Sequence, residues 1–293
     1  MNILITGAYG QLGKQIGYII EKGTSELGDI DSIYTKAKIK YLNSIDLDIT
    51  NLDAVFKLLC DFKPNIIINC AAYTNVDNCE IDQESAFKVN SIGPRNLAIG
   101  AEKIGAKLIH ISTDYVFEGN GKVSYKEYDI PKPVTAYGKT KFLGEQYVRE
   151  HCTRYFIFRT AWLYGKYGKN FVYTIMKAAK EKGYLEVVND QVGNPTNAED
   201  LAYHILKIAL THQYGIYHCT GEGQCSWYEF AKKILEYANI KCTLKPITSD
   251  KSNRIATRPS FSGLHNMMLS SISKNHMRDW QQALKCFIKN LKN

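Results

Sequence analysis

The stretch Asn2-Ile3-Leu4-Ile5-Thr6, followed at once by Gly7-Ala8-Tyr9-Gly10-Gln11-Leu12-Gly13, decides the fold. The first five residues read as a strand buried on both faces, and the glycines after it open a helix. Gly7 allows the tight turn, Gly10 lets the backbone approach a pyrophosphate, and Gly13 lets the helix pack closely on the sheet. A helix N-terminus offers free N–H groups and positive partial charge to phosphate oxygens. No G-x-x-x-x-G-K-[ST] run occurs, which excludes a P-loop.

Outward from that turn, short aliphatic runs alternate with helical spacing. Residues 65–70 (NIIINC), 107–112 (KLIHIS) and 155–159 (YFIFR) read as further strands, and residues 52–61, 86–104 and 137–150 as helices. A second strand is expected at 39–43, Asn51 as the cap of the helix at 52, and Gly105 as the stop of the helix before it. Strand–helix alternation predicts an α/β, doubly wound parallel sheet. Beyond about Gly165 the alternation loosens into helices at 171–182, 198–210, 226–239 and 280–291, with short strands and a polar stretch at 248–257. We therefore expect a dinucleotide-binding domain at 1–165 and a smaller mixed α/β substrate lobe at 166–293, some of whose segments return to the first domain.

The 293 residues are 45% hydrophobic and 23% charged, the composition of a packed globular body. The net charge of +8 is dispersed over helices, as at Lys232 and Lys233, with no aromatic-basic pattern, and this argues against a nucleic-acid surface. Eight cysteines form no C-x-x-C pair, so free thiols are expected rather than a metal site. No apolar run approaches the ~20 residues of a membrane helix, and the opening lacks a basic leader. No membrane association and a cytoplasmic location are expected.

Open α/β sheets bind ligands beyond the carboxyl ends of their strands, and polar residues stand there. Tyr137 and Lys141 are four residues apart, one turn along a helix. A phenol titrates near 10, and a neighbouring ammonium would pull it toward neutrality, which suits proton transfer. Thr113 ends the strand at 107–112 and can support charge developing on a carbonyl oxygen. Ala71 and Ala72, small and just past another strand, leave room for a cofactor, and Asn90 can hold a backbone group nearby.

The G-x-x-G-x-x-G spacing together with Tyr-x-x-x-Lys resembles the extended, nucleotide-sugar-modifying branch of the short-chain dehydrogenase/reductase superfamily. TGAYGQLG, NCAAYTNVD, STDYVF, YGKTK, RTAWLYG, GKNFV, VVNDQVGNPT, SWYEFA and ATRPSFSGL follow in order along nearly the whole chain. That set is similar to the dTDP-4-dehydrorhamnose reductase family. The resemblance implies a Rossmann-like cofactor domain and reduction of the C4 ketone of a dTDP-sugar by a nicotinamide cofactor. It implies Thr113, Tyr137 and Lys141 as the catalytic set and Gly10, Gln11, Leu12, Ala71, Ala72 and Tyr73 as cofactor contacts. Thr113, Asp114 and Trp162 would touch the sugar, and Arg258 the diphosphate. Gly7, Gly13, Asn43, Ser44, Asp48, Ile49 and Asn90 complete the candidate cofactor residues, with Tyr137 and Lys141 shared, and Tyr115 completes the substrate set.

Two positions depart from the family pattern. Asn43, preceded by Lys40, stands where an acidic residue often grips a ribose 2′-OH, so NADPH is expected ahead of NADH. His265 stands where Asp often follows Leu264, and is expected at the surface. An epimerase or dehydratase of the same superfamily is the nearest alternative, opposed by STDYVF and the Arg258-Pro259 motif. A non-catalytic regulatory subunit is opposed by the intact Thr113, Tyr137 and Lys141. The expected partner is the dTDP-sugar, and the resemblance implies a monomer or a homodimer.

Overall fold

The computed structural model describes residues 1–251, 254–272 and 277–291. Ser252 and Asn253, within the polar stretch at 248–257, lie outside the described residues. Six strands form the main sheet: β1 (Asn2–Thr6), β2 (Lys38–Leu42), β3 (Ile66–Asn69), β4 (Lys107–Thr113), β5 (Tyr155–Thr160) and β6 (Gly215–His218). Their order is β6-β5-β4-β3-β1-β2, and every neighbouring pair is parallel. This is the Rossmann-like doubly wound sheet that the alternation predicts.

Successive side chains of a strand point to opposite faces, and both faces are covered. Ile3 and Ile5 pack on one side with Ile16 and Ile19 of α1 (Gln11–Lys22), while Leu4 packs on the other with Val55 and Leu59 of α2 (Leu52–Phe62). The second side is completed by Leu97 of α3 (Gly93–Ile104) and Val148 of α4 (Ala136–His151). Asn51 caps α2 by accepting from the Ala54 N–H, and Gly105 ends α3 in the left-handed region at φ 69°.

The expected helix at 86–104 is broken. A short helix, Gln83–Phe87, runs into a π-helical turn at Lys88–Ile92 before α3 begins. Pro94 has no N–H to give the Asn90 carbonyl, so the regular ladder fails there. The widened turn aims the Asn90 side chain at the loop after β3.

In the second half, α5 (Phe171–Lys182), α7 (Trp227–Ala238) and α8 (Trp280–Asn290) enclose a separate apolar cluster beside a parallel pair, Tyr184–Val188 with Thr243–Ile247. Between α5 and α7, α6 (Ala198–Ala209) leaves that lobe and packs on α1, and β6 joins the sheet beside β5. All eight cysteines are free. Among the described residues, no helix is long and apolar enough to cross a membrane, and no cluster of His, Cys, Asp and Glu could hold a metal ion.

Candidate active site

A cleft of about 890 Å³ opens beyond the carboxyl ends of β1, β3, β4 and β5, where the strand order reverses between β1 and β3. Gly7 turns the chain there at φ 63°, and a β-carbon on it would lie 2.5 Å from the Ala71 nitrogen. Only glycine fits that crossing. Gly10 precedes α1 without a capping side chain, so the N–H groups of the first turn remain for an anion. Gln11 fastens the turn to the far wall, donating to the Leu163 carbonyl at 3.1 Å and accepting from Asn170 at 3.2 Å.

Asn43, Ser44, Asp48 and Ile49 line one end of the cleft. Asn43 Oδ1 accepts from the N–H groups of Ile45 (2.7 Å) and Asp46 (3.0 Å), and Asp48 Oδ1 accepts from the N–H and hydroxyl of Thr50. Lys40 points elsewhere, its ammonium 5.4 Å from the Phe62 ring centroid. Asn43 rather than a carboxylate closes β2, Asp46 Oδ2 accepts the Asn43 N–H at 3.0 Å, and residues 43–50 hold no cation. The glycine turn, the uncapped α1 and the small Ala71 and Ala72 together can hold a nicotinamide dinucleotide.

The opposite wall is the first turn of α4. Thr135 caps it by accepting from the Gly138 N–H at 3.0 Å, and Glu80 accepts from the Ala136 N–H at 2.8 Å. Gly138 lies so close to the Tyr115 carbonyl that a β-carbon would come within 2.2 Å of its oxygen. These contacts set Tyr137 edge-on to Tyr115, with ring centroids 5.5 Å apart. Burial pushes the Tyr137 phenol above its ordinary value, and a hydrogen bond with Thr113 opposes the rise. Thr113 Oγ1 also donates to Asp114 Oδ1 at 2.9 Å.

Lys141 is buried and donates to the Ile111 carbonyl at 2.6 Å. Burial pulls its ammonium down to about 8, while Glu145 and Cys70 oppose the fall. The strongest influences on the phenol besides burial are Thr113, Asp114, Tyr115 and Cys79, so the expected pull of Lys141 on Tyr137 is not among them.

Among the described residues, three buried polar atoms of residues that line the cleft have no partner: Thr160 Oγ1, Asp114 Oδ2 and Arg258 Nη1. Burial lifts the Asp114 carboxyl to about 6 against hydrogen bonds from Ser262 and Thr113, and its Oδ2 is unpaired. Arg258 pairs with Asp77 at 3.0 Å through Nη2, and its Nη1 is unpaired. Unsatisfied buried groups are costly, and a ligand hydroxyl and a phosphate oxygen would satisfy Asp114 and Arg258.

Of the candidate residues, Gly13, Tyr73 and Asn90 do not line the cleft. Gly13 packs beneath the turn, where a β-carbon would meet the Gly7 carbonyl at 2.5 Å. Asn90 clamps the backbone of Tyr73, accepting from its N–H at 2.8 Å and donating to its carbonyl at 3.0 Å. Trp162 lines the cleft, and His265 is exposed. Lys169, Gln191, Trp227 and Ser262 also line it. They stand inside the motifs GKNFV, VVNDQVGNPT, SWYEFA and ATRPSFSGL, but their order along the chain carries no sign of convergence on one cleft.

The family model described as RmlD substrate binding domain matches residues 1–293. A dTDP-4-dehydrorhamnose reductase of Aggregatibacter actinomycetemcomitans is 40% identical, with 97% of each chain covered. The crystal structure of a dTDP-4-dehydrorhamnose reductase from Clostridium acetobutylicum superposes with a TM-score of 0.94 at 44% identity over 100% of both chains. That of a dTDP-4-dehydrorhamnose reductase from Bacillus anthracis in complex with NADP gives 0.92 at 42% identity over 99% of both. The chain belongs, over its whole length, to the RmlD family of dTDP-4-dehydrorhamnose reductases.

Proposed function

We propose that this chain reduces the C4 ketone of dTDP-4-dehydro-β-L-rhamnose to dTDP-L-rhamnose, with NADPH as hydride donor and NADH as the alternative. The reading is carried by the meeting of Thr113 with the Tyr137 phenol beside an unpaired Asp114 oxygen and an unpaired Arg258 nitrogen, all in one cleft.

When bound, the reduced nicotinamide supplies the hydride that forms the new C4–H bond. Tyr137 gives its proton to the ketone oxygen, and Thr113 hydrogen-bonds that oxygen as charge develops on it. Burial favours the protonated phenol, the state a reduction requires of its proton donor. Lys141 orients the cofactor ribose. Asp114 accepts a sugar hydroxyl, Arg258 meets the diphosphate, and Trp162 offers the sugar an apolar face. Residues 1–165 supply the cofactor side and, through Thr113, Asp114 and Trp162, one wall of the substrate side, and residues 166–293 supply the other wall through Arg258 and Trp227, with α6 and β6 serving the sheet. Biosynthesis from a soluble nucleotide sugar fits a cytoplasmic location.

The test is incubation with dTDP-4-dehydrorhamnose and NADPH, following absorbance of the reduced cofactor, with NADH and other dTDP-4-keto-6-deoxyhexoses run in parallel. Turnover with dTDP-4-dehydrorhamnose is expected, and its absence with both cofactors refutes the reading.

A further inference from the structure

Asn69 and His110 are register partners on β3 and β4, and both are buried. The Ala71 N–H, which can only donate, bonds Asn69 Oδ1 at 3.1 Å, and the Thr6 hydroxyl donates to the same oxygen at 2.7 Å. The Asn69 amide nitrogen is thereby turned toward His110 Nδ1, 3.1 Å away. An amide NH2 has no acceptor, so Nδ1 must accept and the ring proton resides on Nε2. Nε2 lies 3.4 Å from Lys141 Nζ. An ammonium would meet that N–H with an N–H of its own. An amine would accept it through its lone pair, give one N–H to the Ile111 carbonyl and keep another for a ligand.

We propose that His110 is a positioning residue for Lys141, its Nε2–H, locked in place by Asn69, easing the loss of the Lys141 proton as pH rises. The proposal rests on the roles given to Tyr137 and Lys141 above and deepens them. Once Lys141 has lost its proton it exerts no pull on the phenol, so Tyr137 holds its own proton further into the alkaline range.

Of the other groups facing Lys141, Glu145 and Cys70 favour the ammonium and so oppose His110. Tyr137 and Glu145 lie one turn to either side on α4, and Cys70 approaches from the end of β3. The Glu145 charge is taken up by Arg159 of β5 through bonds of 2.9 and 2.7 Å.

Two variants test the inference. Asn69→Asp is isosteric, keeps the bonds from Ala71 and Thr6, and moves the ring proton to Nδ1, so that the Nε2 lone pair faces Lys141 and accepts from the ammonium. His110→Phe removes the opposing donor without adding a charge. In cofactor-free protein carrying 13C-labelled lysine, the titration midpoint of Lys141 should rise by a pH unit or more in both variants. The alkaline limb of kcat/KM should move to lower pH in both. An unmoved Lys141 midpoint overturns the proposal, as does a rise in Asn69→Asp alone, which would be the work of the added charge. A risen midpoint in both with an unmoved limb supports the role of His110 and refutes the coupling of Lys141 to Tyr137. Should one variant fail to fold, an unmoved midpoint in the other is enough to overturn it.

Discussion

Trp162 lies flat on Trp227, with ring centroids 3.5 Å apart and planes 7° from parallel, while its own backbone sits at φ 46°. A side chain in the left-handed region costs on the order of 1 kcal/mol and persists only where its surroundings enforce it. Trp227 covers one part of the indole and Gly193 another, since a β-carbon on Gly193 would come within 2.7 Å of the ring. The strain thus holds an aromatic wall at the cleft. A stacked aromatic pair contributes about 0.5–1.5 kcal/mol beyond area, so Trp227→Ala should raise KM for the sugar nucleotide up to about tenfold. Steady-state kinetics with each substrate varied in turn should leave KM for NADPH unchanged, and equal changes in both would refute the assignment.

Tyr137→Phe removes only the phenolic oxygen and retains the edge-on contact with Tyr115. Positioned proton transfer contributes about 10²–10⁴-fold, so kcat should fall by that range. Fluorescence titration should find NADPH binding within a few-fold of the wild type. Undiminished turnover would remove Tyr137 from the chemistry.

The strands of the first half are legible because each is an aliphatic run between turn residues, and α5 is found at the expected residues, Phe171–Lys182. β6 was hidden: Gly215-Ile216-Tyr217-His218 has one aliphatic side chain and becomes a strand by pairing with β5. Spacing exposes Tyr137 and Lys141, which share a helix face, and strand position exposes Thr113. It cannot expose Trp227, Asp77 or His110, whose importance lies in what they meet from distant parts of the chain. Direction is likewise invisible in sequence. Lys40 turns to Phe62, and Lys141 turns to the Ile111 carbonyl rather than to the phenol.

Asp114 carries a pH signature. Its folded value of about 6 exceeds the ordinary 3.8, so the folded state holds the proton more tightly than the unfolded chain. The stabilisation from that proton is complete below the unfolded value and lost as pH rises through about 6. At higher pH the buried carboxylate is a net cost, retained for its acceptor oxygen. Asp114→Asn should therefore raise unfolding stability at pH 8, by up to about 3 kcal/mol, and by less at pH 5. Urea denaturation at the two pH values measures the difference, and substrate KM should rise in the same variant.

Behind the cleft, Arg159 and Glu145 form a buried bidentate pair, and the Ser112 hydroxyl donates to Glu145 Oε1 at 2.5 Å. Breaking such a pair strands a charge and costs about 3–5 kcal/mol, whereas replacing both partners with apolar residues often restores stability. Glu145→Gln should lower the urea midpoint sharply. Glu145→Leu combined with Arg159→Met should recover much of the loss, and a double variant as unstable as the single one would count against a charge penalty.

At the end of β2, Asn43 holds its turn by accepting from the N–H groups of Ile45 and Asp46, and a carboxylate can accept the same two bonds. Asn43→Asp should therefore keep the turn, at the cost of a like charge beside Asp46, whose Oδ2 accepts the residue-43 N–H at 3.0 Å, and should add a negative charge at the edge of the cleft. A carboxylate there favours a ribose 2′-OH and repels a 2′-phosphate. With no cation among residues 43–50 to offset it, the new charge would act directly on the phosphate. The ratio of kcat/KM for NADPH to that for NADH should fall by about tenfold, equivalent to roughly 1.4 kcal/mol. The shift should shrink as salt is added, because the site is partly open to solvent. An unchanged ratio would place the 2′-position of the ribose away from Asn43.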